Sequence, residues 1–182
     1  LIAKTLGQKQ PQKANMQFSL IVYTSIILAV ILSIIGIVFI KPISSLLGAQ
    51  GEMKELCVLY GTIILIALPF FVLQFEFQSL FITAEKPKLG LWSTVASGVT
   101  NMVLDWLFIA IFNWGLAGAA IATALAQVVG GVIPLIYFSR KNTSLLKLSS
   151  TLFDSRTLIK TFTNGSSELM SNLSMSLVCM LY

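Results

Sequence analysis

Three acids stand alone in stretches that otherwise carry no charge: Glu76, Asp105 and Glu168. Asp105 follows Asn101 by four residues, a spacing that projects both side chains from one face of a helix. Thr94, Ser97 and Gly98 continue that polar line towards the start of the same helix. A carboxylate in hydrocarbon costs several kcal/mol unless a partner, water, a proton or a cation offsets it. Such a group can exchange a proton or hold a monovalent cation; the bland alternative is an Asp satisfied by Asn101 and a neighbouring helix. Glu76 is flanked by Gln74 and Gln78, and a site acid or a polar contact between helices fits it equally. Glu168 follows Asn164-Gly165-Ser166-Ser167. That order suits a helix-start carboxylate favoured by the macrodipole, or a second titratable group facing a cavity.

The elements that must position these groups follow from composition. Of the 182 residues, 56% are hydrophobic and 10% charged, against about 25% charged in an ordinary soluble domain. Too little charge is available to clothe a water-soluble surface, so the chain reads as a polytopic membrane protein. Its net charge of +5 rests on scattered Lys and Arg, which excludes nucleic acid as a partner. With no His and two Cys, there is no metal-ligand cluster and no paired catalytic carboxylates, so no enzyme is expected. Cys57 and Cys179 are expected to be buried apolar thiols.

Charge is absent over residues 14–40 and 116–138, and over 56–83, 89–113 and from Thr161 to the last residue it is broken only by Glu76, Asp105 and Glu168 respectively. Runs of this length without alternation are transmembrane helices rather than barrel strands. Asn113-Trp114-Gly115 and Glu85-Lys86-Pro87-Lys88 form tight turns, the proline suited to a first helical turn. Residues 139–160 form a basic connection with Leu145, Leu146, Leu148, Leu152 and Phe153, expected to lie on the membrane surface as a short amphipathic piece. Ten Lys and Arg fall in the loops 1–13, 84–88 and 139–160, whereas Lys41 and Lys54 stand on the other side. The basic loops are therefore expected in the cytoplasm. Gly118, Ala122, Ala126 and Gly130 recur every four residues and allow close helix packing, while Pro69 and Pro134 bend their spans. The chain starts at Leu1 and stops inside an apolar run, which suggests an interior fragment.

Several stretches resemble the multidrug and toxic compound extrusion (MATE) family of cation-coupled efflux transporters. Ala3-Lys4-Thr5-Leu6-Gly7-Gln8 with Lys13-Ala14 is similar to the family's loop between helices two and three. Asn101-Met102-Val103-Leu104-Asp105 followed by Gly115-Leu116-Ala117-Gly118-Ala119-Ala120-Ile121-Ala122-Thr123 resembles its N-x-x-x-D fifth helix and G-x-x-G-A-A-x-A-T sixth helix. Asn164-Gly165-Ser166-Ser167-Glu168-Leu169 looks like the start of its seventh helix, above all in the bacterial MepA/DinF-like branch.

The resemblance implies an all-α, polytopic transmembrane bundle belonging to a two-lobe, twelve-helix transporter. Residues 1–138 would be part of the N-lobe (helices three to six), 139–160 the inter-lobe linker, and 161–182 the start of the first C-lobe helix. It also implies efflux of small amphipathic, often cationic, organic compounds in exchange for H⁺ or Na⁺ across the cytoplasmic (inner) membrane. Asp105 and Asn101 match the N-lobe cation site, and Glu168 matches a seventh-helix carboxylate; Glu76 is a possible additional intramembrane acid without a motif counterpart. No cofactor is implied beyond the coupling ion, and the partners are membrane lipid and the missing helices. A lipid-linked oligosaccharide flippase of the same superfamily is the nearest rival. It calls for a cationic cavity, whereas Lys and Arg here are confined to loops. A passive channel or scaffold would need neither the Asn101/Asp105 pair nor the three isolated acids.

Overall fold

A computed structural model describes residues 1–140, 144–149 and 154–181. Within the last stretch, the side chains of Arg156, Ser167, Glu168, Met180 and Leu181 fall outside that description. The described residues form helices α1 (Ile2–Gly7), α2 (Pro11–Leu46), α3 (Gly51–Thr83), α4 (Pro87–Asp105), α5 (Gly115–Ser139) and α6 (Ser155–Leu181), with a π-helical segment, Trp106–Ile111, continuing α4. Pro11 and Pro87 open α2 and α4, where a missing N–H leaves no intrahelical bond unmade. The turn before α5 needs left-handed backbone at Asn113 (φ 55°) and Gly115 (φ 54°), which Asn tolerates and Gly adopts freely.

Among the described residues, α2, α3, α4 continued by the π segment, and α5 are long and apolar enough to cross a membrane. The helices outrun the charge-free spans: α2 begins before Lys13 and ends after Lys41. Lys is a good helix former, so its appearance marks where hydrocarbon stops, not where the helix stops. Helix α6 is more polar and is not among those spans. It starts at Ser155, so residues 155–160, expected in the connection, are already helical. The Thr157 hydroxyl donates to Asp154 Oδ2 at 2.6 Å, placing the start of the helix beside Asp154. Glu168 therefore lies well inside α6, which overturns its reading as a helix-start carboxylate.

Helix α3 packs against α2, α4 and α5, and α4 against α5. The small-residue stripe lies in the packed seams of α5. Gly118, Ala122, Ala126 and Gly130 are all buried. Serine side chains then bond to the backbone of the facing helix: Ser97 Oγ donates to the Ala126 carbonyl at 2.7 Å, Ser93 Oγ to the Gly130 carbonyl at 3.3 Å, and Ser33 Oγ on α2 to the Leu65 carbonyl on α3 at 2.6 Å. Lipid supplies no hydrophobic drive between helices, so backbone proximity and such bonds hold them together.

A buried apolar core lies at the lysine-rich end. Phe138 sits 5.1 Å from Phe18, 5.5 Å from Phe77 and 4.9 Å from Phe81, centroid to centroid, tying α2, α3 and α5 together. Leu146, from the connection after α5, is fully buried in that cluster. The Leu148 N–H donates to the Phe138 carbonyl, Lys147 N–H to Asn15 Oδ1 and Ser149 N–H to Ser19 Oγ. Residues 144–149 are thus a non-helical strap fastened to the helix ends, and the expected amphipathic surface piece does not form there. Leu146 finds aromatic side chains and the flanking N–H groups find fixed acceptors, which a lipid surface cannot offer together. Leu152 and Phe153 lie outside the described residues. Cys57 and Cys179 are exposed rather than buried, because an apolar residue on these helices faces lipid as readily as core.

Candidate functional site

Asp105 is the last residue of α4, where the helix widens into the π segment. The widening shows in the hydrogen bonds: Phe112 N–H reaches back five residues to the Leu107 carbonyl at 3.0 Å, and Trp114 N–H reaches Phe108 at 2.9 Å. Packing fits it. A Cβ on Gly118 of α5 would stand 3.2 Å from the Phe108 carbonyl oxygen, so the π segment rests directly on the start of the small-residue stripe. Single π turns within α-helices collect at functional sites.

Polar side chains on α4 divide among different neighbours instead of forming one line. Thr94 accepts from Gln78 Nε2 at 3.1 Å, and Ser97 accepts from Gln74 Nε2 at 3.4 Å while donating to α5. Asn101 Nδ2 is 3.5 Å from Thr123 Oγ1 on α5, at the long end of a hydrogen bond. Gly98 faces open space. Oδ1 of Asp105 is buried with no hydrogen-bond partner. The alternative in which Asn101 satisfies this oxygen is therefore not what forms.

The structure brings Asn101 to Thr123 across the α4/α5 seam, with Asp105 one turn beyond Asn101. Gln127 stands one turn further along α5 than Thr123, its Oε1 also buried and unpartnered. Thr123 and Gln127 line a cavity of about 290 Å³ whose other wall is Tyr60, Ile64, Leu68 and Phe71 of α3. From sequence, Thr123 entered only as the end of the stretch that resembles the family's sixth helix, and Gln127 was not singled out. Two polar residues four apart in an apolar helix were the available signal, the same spacing as Asn101 and Asp105. For the π segment, Trp106–Ile111, an apolar run gives no comparable mark.

Glu76 belongs elsewhere. The Gln74–Ser97 and Gln78–Thr94 contacts fix the register of α3 against α4 and put Glu76 level with residues 95 and 96. At 1.5 Å per residue it lies about 14 Å from Asp105 along the axis. Its sequence neighbours Gln74 and Gln78 are engaged with α4, whereas the Glu76 carboxylate has Ser25 of α2 against it. The Glu168 side chain lies outside the described residues, so no geometry joins it to either acid.

The sequence profile of the MatE family matches residues 1–107, more than half of the chain. The chain belongs to the MatE family. Its similarity extends to multidrug export protein MepA of Staphylococcus haemolyticus, 31% identical over 144 residues, covering 79% of this chain and 32% of that protein. MepA of Staphylococcus saprophyticus is 32% identical over 141 residues, covering 78% and 31% respectively. Among solved structures, an inward-facing multidrug resistance MATE family transporter of the MOP superfamily superposes with a TM-score of 0.80 at 23% identity, over 86% of this chain and 36% of that one. This MatE chain is thus multi-pass, with helices as its regular structure among the described residues, and spans about a third of the length of the curated relatives it matches.

Proposed function

We propose that the protein containing this MatE chain exports small amphipathic organic compounds, with H⁺ or Na⁺ moving inward in exchange, by alternating access between two lobes. The observation that carries this reading is the buried, unpartnered Oδ1 of Asp105 beside the Asn101–Thr123 contact. Every other polar group singled out on α4 is engaged with a neighbouring helix or its own backbone. A stranded carboxylate in a lipid-spanning helix supports a role in taking up and releasing a cation, and the adjoining α3/α5 cavity supports binding of an apolar solute by contact area. Asp105 and Asn101 would hold the coupling ion, with Thr123 positioning the Asn101 amide. Loading would remove the charge of Asp105 and change how the π segment seats on α5, favouring the state that releases drug outside. The lysine-rich loops would face the cytoplasm, and the strap at residues 144–149 would lie in the connection between the lobes.

The test is drug efflux by the whole protein in membrane vesicles, with a pH gradient and a Na⁺ gradient imposed separately. Asp105→Asn is expected to abolish gradient-driven efflux while leaving the amount of folded protein unchanged. Efflux at the wild-type rate in this variant would remove the assignment.

A further inference from the structure

The lysine-poor end of the bundle holds a cleft of about 680 Å³ between α2 and α3. Lys41 lines it from α2, and Gly51, Lys54, Glu55, Val58 and Thr62 line it from α3. At about 3.6 residues per turn, these α3 positions fall on the side away from Tyr60, Ile64, Leu68 and Phe71, which face α5. The cleft is therefore separate from the Asn101–Thr123 seam and its cavity. Docking of α2 on α3 sets its depth. Ser33 bonds to Leu65, and Ile40 lies against Gly61, so Lys41 is level with the turn around Val58. Lys54 stands about one turn nearer the α2–α3 connection. Residues 14–40 carry no charge. Lys41 is thus the first ionised group on α2 at this end, and the cleft lies at the edge of the hydrocarbon. Among the described residues, none of Lys41, Lys54 and Glu55 is held in an ion pair. Deeper along α3, Leu59 and Ile66 are exposed and, two turns apart, continue the cleft as an apolar track.

We propose that this cleft seats the headgroup of a phospholipid bearing a primary ammonium, as in phosphatidylethanolamine, from the leaflet at the lysine-poor end. Lys41 and Lys54 take the phosphate, and Glu55 takes the ammonium. Three features of the cleft select this occupant. Its depth is that of the headgroups, where a lysine can keep its stem on apolar surface and its charge in the polar layer. The exposed Leu59 and Ile66 below it offer contact to an acyl chain, which a soluble phosphate ester lacks. Both signs of charge line it, and this decides between lipids. Phosphatidylglycerol would bring its phosphate to the lysines but leave Glu55 facing a second anion. Phosphatidylcholine carries a positive nitrogen with no N–H to donate, so it forms no charge-assisted hydrogen bond to the carboxylate. The binding event does not depend on the efflux reading or on Asp105.

The experiment is native mass spectrometry of the whole protein offered equal amounts of phosphatidylethanolamine, phosphatidylcholine and phosphatidylglycerol with matched acyl chains. Phosphatidylethanolamine should be retained about two- to fivefold over either of the others. Glu55→Gln is expected to remove that preference. Lys41→Gln combined with Lys54→Gln should lower retention of all three lipids about fivefold or more. Glu52→Gln is the control, since Glu52 does not line the cleft, and should change nothing. In the unmodified protein, a carbodiimide should join the lipid amine to the Glu55 carboxyl as an amide, the reagent taking up the water lost. Mapping that added mass decides the matter even where a variant fails to fold. Phosphatidylglycerol or phosphatidylcholine retained as well as phosphatidylethanolamine overturns the proposal. So does a preference that survives Glu55→Gln or is lost equally in Glu52→Gln, a second copy of the chain that excludes lipid, or an amide absent from Glu55.

Discussion

Gly131 is where one methyl group should cost most. An added Cβ there would stand 2.7 Å from the Phe70 carbonyl oxygen and 3.2 Å from the Phe70 Cα, both backbone atoms of α3. No rotamer change can relieve this contact, so α3 and α5 must separate by roughly 0.5 Å to restore van der Waals spacing. A gap of that size forfeits about a quarter of each pairwise dispersion well along the seam. Overpacking of this kind costs about 1–3 kcal/mol. Gly98→Ala is the matched control, since its Cβ would meet open space. Both substitutions gain the same helix propensity, about 0.5–1 kcal/mol, so the difference between them isolates the packing cost. Gly130→Ala should fall in between. There the obstruction is the Gln74 side chain, which can swing away by giving up its contact with Ser97, worth about 1 kcal/mol. The assay is thermal unfolding of the purified whole protein in one detergent, read as the midpoint for each variant. The expected order of stability is Gly98→Ala, then Gly130→Ala, then Gly131→Ala. A Gly131→Ala midpoint equal to that of Gly98→Ala would refute backbone contact between α3 and α5 as the determinant.

Two further outcomes follow from the strap and the π segment. Leu146→Ala removes a fully buried side chain from the Phe18–Phe77–Phe81–Phe138 cluster and should destabilise by about 2–5 kcal/mol. Faster proteolysis at residues 144–149 should accompany it, and unchanged protease resistance would mean the strap is not anchored by Leu146. Deleting Ile109, an exposed residue of the π segment, should let α4 continue as an ordinary helix and change the seating of Asp105 against α5. Vesicle efflux is expected to fall severely at normal protein levels, and wild-type efflux would show that the π geometry is incidental.

Much of the architecture was legible because the solvent writes itself into composition. Long charge-free runs mean hydrocarbon, and the periodic Gly118, Ala122, Ala126 and Gly130 mean close helix contact. The same logic misplaced Cys57 and Cys179, since in lipid an apolar residue carries no instruction to be inside. The start of α6 was misplaced for a related reason: absence of charge begins at Thr161, but Ser155 to Lys160 form helix with Asp154 at its start. Charge reports the edge of the membrane, and helices cross that edge freely.

The sequence alone determined that three acids are isolated in apolar helices and that Asn101 and Asp105 share a face, because spacing along one helix is set by its 3.6-residue period. Which partners those side chains meet is a matter of how separate helices dock, and only the tertiary structure decided it. Docking directs Asn101 to Thr123 and leaves Oδ1 of Asp105 without a partner. Docking also sets Gln74 and Gln78 of α3 against Ser97 and Thr94 of α4, a register that no spacing within α3 supplies. Leu146 leaves the expected membrane surface for an aromatic cluster drawn from three helices. Contacts between residues distant in the chain depend on register and shape across a seam, and no periodicity within one helix encodes them.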